Sequence, residues 1–113
     1  MATYDAPLHL EAFENMEANR KTVYTLPASV EYRFMVSGDR LEFGSFGSIT
    51  VGMVRRYPSL EELVKAQGWE CLVPEAEDAT AAIKMVRANE DWDRAAEDEH
   101  GVLALRVREA RRK

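Results

Sequence analysis

The sequence predicts a single α+β domain: a small, partly closed mixed β-barrel of five or six strands flanked by two or three helices. Three observations lead there. Strand-like and helix-like segments alternate, yet two central strands are joined by a four-residue turn, which breaks the alternation of a doubly wound sheet. The strands are short and rich in β-branched and aromatic residues, the form that curls into small barrels. A chain of 113 residues supplies one hydrophobic core and no second.

Ala6–Leu10 reads as a short strand leading into a helix near Glu11–Asn19, with Leu10, Phe13 and Met16 facing the core at three-residue spacing. Thr22–Leu26 is a strand stopped by Pro27. Val30, Tyr32, Phe34 and Val36 alternate with Glu31, Arg33 and Met35, an extended segment with one buried face. After the Ser37-Gly38-Asp39 turn, Arg40–Phe43 forms a strand with Leu41 and Phe43 inward. Gly44–Gly47 reverses the chain into a partner strand running to about Tyr57, with Ile49, Val51 and Met53 alternating along it.

Ser59 and Glu62 form a capping box, in which the serine hydroxyl accepts the N3 amide and Glu62 reaches back. The helix it starts buries Leu60, Leu63 and Val64 and ends at Gly68. Trp69–Pro74 is an irregular apolar plug. A third helix runs from about Asp78 or Thr80 to Asn89 with Ile83 and Val86 inward, and Asp91–His100 is a polar turn or short helix around Trp92. Gly101–Leu105 opens a strand apolar on both faces, hence central in its sheet. Residues Arg108–Lys113 form a basic tail expected to fray.

Net charge is −5, which argues against indiscriminate coating of DNA. Between Glu70 and Glu99 ten acids face three bases, so the rest of the chain carries +2 and one side of the molecule can be positive. The acids alternatively form a plain solvated helical face. Cys71 is the only cysteine, which excludes an internal disulfide. It reads as a small half-buried apolar residue. No stretch approaches the roughly 20 apolar residues of a bilayer span, and no signal-peptide pattern opens the chain. A cytoplasmic location is expected, with a monomer favoured over larger assemblies. His9 and His100 stand without companions at metal spacing, so no metal is expected. No phosphate-binding glycine loop or dinucleotide fingerprint is present, and no cofactor is implied.

Leu8-His9-Leu10, a helix, and then Arg20-Lys21-Thr22-Val23 resemble the opening of ASCH domains, relatives of the PUA fold. Val36–Phe43 resembles that family's "vGDxlxF" hairpin, Val54–Leu63 its strand-to-helix junction and Gly101–Val107 its closing strand. The four motifs follow in the family's order from Leu8 to Val107. The resemblance implies a barrel with a cleft near the start of the second strand and RNA or nucleotide ligands. Some small bacterial members are similar to amidohydrolases that deacylate N4-acylated cytidines, and others are linked to RNA cleavage. Many members carry Glu three residues after the lysine and Arg five after, where this chain has Tyr24 and Leu26. The amidohydrolase-like branch has a threonine nucleophile at the position of Tyr24.

Lys21 leads the candidate residues, as a phosphate contact or, once desolvated, a general base. The alternative is an exposed lysine on a turn. Tyr24 would stack on a base or line the barrel wall. Thr22 and Thr25 offer hydroxyl nucleophiles with Lys21 as the nearby base, although Thr22 would point to the opposite face from Lys21. Arg33, Arg40, Arg55 and Arg56 supply positive charge for phosphate unless they are plain surface. Tyr57 closes its strand at a helix mouth and would stack, and Glu61 would orient a ligand amine or serve as an acid. The expected function is binding of RNA, a nucleotide or a nucleoside in a cleft around Lys21. The first alternative is a small hydrolase, acting on N4-acylated cytidine or on RNA. The second is a protein-interaction module that uses the acidic helical face.

Overall fold

A computed structural model describes residues Met1–Lys113. Its strands are β1 (Thr3–Asp5), β2 (Val23–Pro27), β3 (Arg40–Phe43), β4 (Gly47–Tyr57) and β5 (Val102–Arg112), in one mixed sheet of order β1-β3-β4-β5-β2. The β1–β3 pair is parallel and the other three are antiparallel. The sheet curls into a half-barrel, leaving β1 and β2 as open edges. Four helices flank it, one more than expected: α1 (Leu10–Glu17), α2 (Leu60–Gln67), α3 (Ala79–Arg87) and α4 (Arg94–His100).

Because side chains alternate across a strand, β5 feeds two cores. Leu103 and Leu105 join the concave core with Tyr24, Leu26, Phe43, Ile49 and Val51, closed by Phe13 and Met16 of α1. Val102 and Ala104 face the other way, onto Leu60, Leu63 and Val64 of α2, Ala82 of α3 and the plug residues Leu72 and Val73. Each fully buried aliphatic or aromatic side chain stabilises by about 1.5–3 kcal/mol. The strand opened by Gly101 is therefore apolar on both faces, as read from the sequence. Gly101 itself is irreplaceable. It sits at φ +81°, and a Cβ there would lie 2.3 Å from the Tyr57 carbonyl oxygen.

Several expectations are corrected. The first strand is Thr3–Asp5 rather than Ala6–Leu10, and Leu10 begins α1 exposed. The segment 30–36 is not extended. Tyr32 and Arg33 donate their amides to the Ser29 carbonyl and Met35 donates to that of Tyr32, so the chain coils in turns. That winding buries Tyr32 and Met35, three apart, and leaves Phe34 73% exposed. A bulge between Val51 and Val54 breaks the alternation of β4. Val51 and Val54 then both reach the concave core, and Met53 is 55% exposed. In α3 the buried residue is Ala82, flanked by half-buried Ile83 and Val86.

The basic tail does not fray. Residues 109–112 continue the β5 ladder against Gly47–Thr50, Arg112 pairs with Glu17, and Lys113 pairs with Glu42. The Ser59 cap forms as expected on the Glu62 amide, and Asp78 and Asp93 cap α3 and α4 in the same way. No helix is long and apolar enough to cross a membrane.

Candidate functional site

Lys21 is delivered by the end of α1. Asn19 takes the left-handed conformation, φ 61°, and the amides of Arg20 and Lys21 both return to the Asn15 carbonyl. The chain then passes under the plug, where the Thr22 and Val23 amides donate to the Cys71 carbonyl. This places Lys21 at 8% exposure, with its ammonium donating to the Leu72 carbonyl oxygen at 2.5 Å and 5.8 Å from the centre of the Tyr24 ring. Burial lowers its pKa to about 8, against the opposing pull of Glu75.

A cleft of about 480 Å³ opens beside Lys21, within the range of small-molecule sites. It runs along the free edge of β2. Tyr24, Thr25 and Leu26 form its floor; Leu8, His9 and Tyr32 stand on one side, and Leu72, Val86 and Trp92 on the other. Tyr24 packs edge-on against Phe43 with ring centres 5.3 Å apart, and its phenol donates to the Pro7 carbonyl. The Tyr32 phenol donates to the Asp5 carbonyl. Burial raises both phenols, that of Tyr32 to about 12, so neither is an acid near neutral pH. The carboxylates of Glu11, Glu31, Glu75, Asp91 and Asp93 line the same cleft, and Lys21 is its only lysine or arginine.

Of the residues singled out in the sequence, Lys21, Tyr24 and Thr25 come together and the others do not. The Thr25 hydroxyl donates to the Leu103 carbonyl, while Thr22 is absent from the lining. Arg33 lies over the Phe34 ring, and Arg55 touches the Met53 sulfur. Arg56 donates twice to the His100 carbonyl, and the Tyr57 hydroxyl accepts from Gln67. Arg40 sits on β3. The sheet order explains the separation: β5 lies between β2 and β4, so arginines of β3 and β4 are remote from the free edge of β2. The expected positive cleft is not formed.

Glu61 belongs to a separate structural cluster. It makes a two-bond ion pair with Arg87, which lowers its carboxyl to about 2. Arg87 also grips Glu97, a carboxylate 1% exposed that accepts from the Leu60 amide and the Trp92 indole as well. Burial pushes the Glu97 carboxyl up, but these donors outweigh it and hold the pKa below the ordinary value. The cluster fixes Trp92 on the cleft wall. The Cys71 thiol donates to the Gln67 and Gly68 carbonyls and is raised by burial, the state of an inert thiol. No group of three or more His, Cys, Asp or Glu side chains is placed to hold a metal ion.

Sequence reasoning missed Glu75, Trp92 and Tyr32 as cleft residues. Trp92, a lone large aromatic inside an acidic run, carried a readable signal; the other two did not.

No family model and no curated protein matches the chain. Solved structures do. The crystal structure of hypothetical protein PH0355 superposes over all of both chains with a TM-score of 0.84 at 23% identity. The solution structure of protein PF0455 from Pyrococcus furiosus covers 95% of this chain and 96% of its own, with a TM-score of 0.75 at 23% identity. At that identity the likeness is one of fold.

Proposed function

We propose that the cleft binds a nucleoside or free nucleobase, with Lys21 as the polar anchor of its floor and Trp92 as the stacking wall. The observation that carries this reading is the burial of the Lys21 ammonium at the base of a cavity walled by apolar and aromatic side chains. A cation withdrawn from water in a cleft, with a single backbone carbonyl as its hydrogen-bond partner, marks a candidate ligand contact. The resemblance of the Arg20–Val23 turn and the later hairpin to ASCH domains supports a nucleotide-like ligand. The five lining carboxylates favour an uncharged one, since a phosphate would meet net negative charge. RNA and nucleotides, expected from the sequence, are thus the less suited members of the class.

Calorimetric titration at low salt with cytidine, uridine, their 5′-monophosphates and a short RNA tests this. The nucleosides should bind and the monophosphates at least about tenfold more weakly, the like-charge penalty of one or two nearby carboxylates. Tighter binding of RNA or of nucleotides, or no nucleoside binding at all, would refute it.

A hydrolytic reading rests on the lowered Lys21 pKa. An amine titrating at about 8 is partly neutral near physiological pH and suits a general base. The Thr25 hydroxyl already donates to Leu103, so a water is the better nucleophile. Incubation with N4-acetylcytidine should then release cytidine at a rate that climbs through pH 8 and vanishes in Lys21→Ala. Turnover that survives this substitution removes Lys21 from the chemistry.

A further inference from the structure

The free edge of β2 carries two unspent backbone groups at the floor of the cleft. The Ala28 amide donates to the Gly101 carbonyl and the Val107 amide to that of Thr22. With the register Tyr24 opposite Leu105 and Leu26 opposite Leu103, the even-numbered residues of this strand turn their amides and carbonyls toward β5, because hydrogen-bonded and non-bonded pairs alternate. Val23, Thr25 and Pro27 therefore turn theirs outward. The Val23 amide is taken by Cys71 while its carbonyl, without a partner, lies outside the cavity lining, and the Pro27 carbonyl accepts from Ser29. Proline has no amide proton. The N–H and C=O of Thr25 take no partner in the protein, although the residue is buried. Buried backbone groups are nearly always paired, so an orphan donor and acceptor side by side call for a partner from outside the chain.

We propose that the Thr25 N–H and C=O are the specificity-determining contact of the cleft, pairing with a ligand ring edge that sets a hydrogen-bond donor beside an acceptor, as a lactam or amidine does. An extended residue points both groups the same way, the arrangement by which opposed strand residues exchange two bonds. Inside the cavity the slot is one residue wide, because Val23 lies outside the lining with its amide already bonded and Pro27 offers no free group, so a ring edge fits it better than an added peptide strand. Thr25 lines the same cavity as Lys21, leaving the ammonium to meet a second acceptor on the ring. This inference rests on the nucleoside reading and adds which edge is read.

The test is a ¹⁵N–¹H correlation titration of the full chain with uridine and with 3-methyluridine, whose methyl group replaces the ring N–H between its two carbonyls. Uridine should shift the Thr25 amide proton downfield and slow its exchange with solvent at least about tenfold, the protection of one formed hydrogen bond. Methylation should weaken binding by about tenfold or more. Thr25→Pro deletes the amide proton at an edge position that tolerates proline; if it folds, it should bind uridine no better than the parent binds 3-methyluridine. Shifts at Lys21, Tyr24 and Trp92 with Thr25 unmoved, or equal affinity for the two ligands, overturn the inference and leave the nucleoside reading intact. Stillness of every cleft resonance with both ligands overturns both.

Discussion

Replacing Lys21 by Met should make the protein more stable and unable to bind. The lysine pays for its position: a pKa of about 8 in the fold against 10.5 outside it means that the charged form is disfavoured by burial, by up to about 3 kcal/mol at neutral pH. Methionine fills a similar volume without a charge and loses only one bond to the Leu72 carbonyl. The sign follows from linkage. Between about pH 8 and 10.5 the unfolded chain holds a proton at Lys21 that the folded chain has released, so stability rises with pH across that window. Urea titrations at pH 7 and pH 10 should show Lys21→Met ahead of the parent at pH 7 by about 1–3 kcal/mol, with the gap narrowing at pH 10. Calorimetry on the same variant should show nucleoside affinity lowered at least about tenfold, the loss of one charge-assisted bond. A variant less stable than the parent at pH 7 would mean that the ammonium is well solvated where it stands. Stability surrendered for a function is common at binding sites.

The opposite outcome is expected for Glu97→Ala, with a larger effect. This carboxylate holds Arg87, the Trp92 indole and the amide of Leu60, the first residue of α2, in one cluster. Removing it leaves the half-buried guanidinium held by Glu61 alone and strands the Leu60 amide and the indole N–H, and each buried donor left without a partner costs about 1–3 kcal/mol. Thermal melts should show a loss of more than 10 °C, on the order of 4 °C per kcal/mol for a chain of this size. Trp92 fluorescence should shift with it, because the indole loses its anchor. The carboxyls of Glu97 and Glu61 both lie below their ordinary value of 4.5 in the fold, that of Glu61 at about 2. Their contribution is complete above the ordinary carboxylate range and is lost as pH falls from there toward 2. The parent should therefore weaken more steeply than the variant over that interval. A melting temperature for Glu97→Ala within a few degrees of the parent's would contradict this reading of the cluster.

Much of the architecture was legible because local chemistry decided it. The Ser59 cap, the Gly44–Gly47 reversal and the two-faced apolar run after Gly101 state their structure within a few residues. The errors arose where tertiary contacts outweighed a local pattern. Residues 30–36 alternate like a strand, but Pro27 ends the ladder and Ser29 gathers the next amides into turns. The β4 bulge carries Met53 outward, and nothing in the period-two pattern announces it. Arg112 and Lys113 look like a loose basic end until Glu17 and Glu42 arrive from distant parts of the chain.

The site was half legible. Lys21, Tyr24 and Thr25 were found because they crowd one helix-to-strand handover. The arginines were misplaced because a sheet order that puts β5 between β2 and β4 cannot be read from alternation alone. Nine of the ten acids between Glu70 and Glu99 are exposed, as a solvated face requires; Glu97 alone is buried, in the Arg87 cluster, and Glu75, Asp91 and Asp93 also reach the cleft. The orphan Thr25 groups depend on the pairing register and became visible only with coordinates.

Following the Lys21 side-chain Cε resonance through pH 6 to 12, with and without saturating cytidine, probes the heart of the matter. Titration near 8 that moves on addition of the nucleoside is expected of an ammonium sequestered in a ligand cleft. A midpoint at the ordinary lysine value of 10.5, indifferent to cytidine, would contradict it.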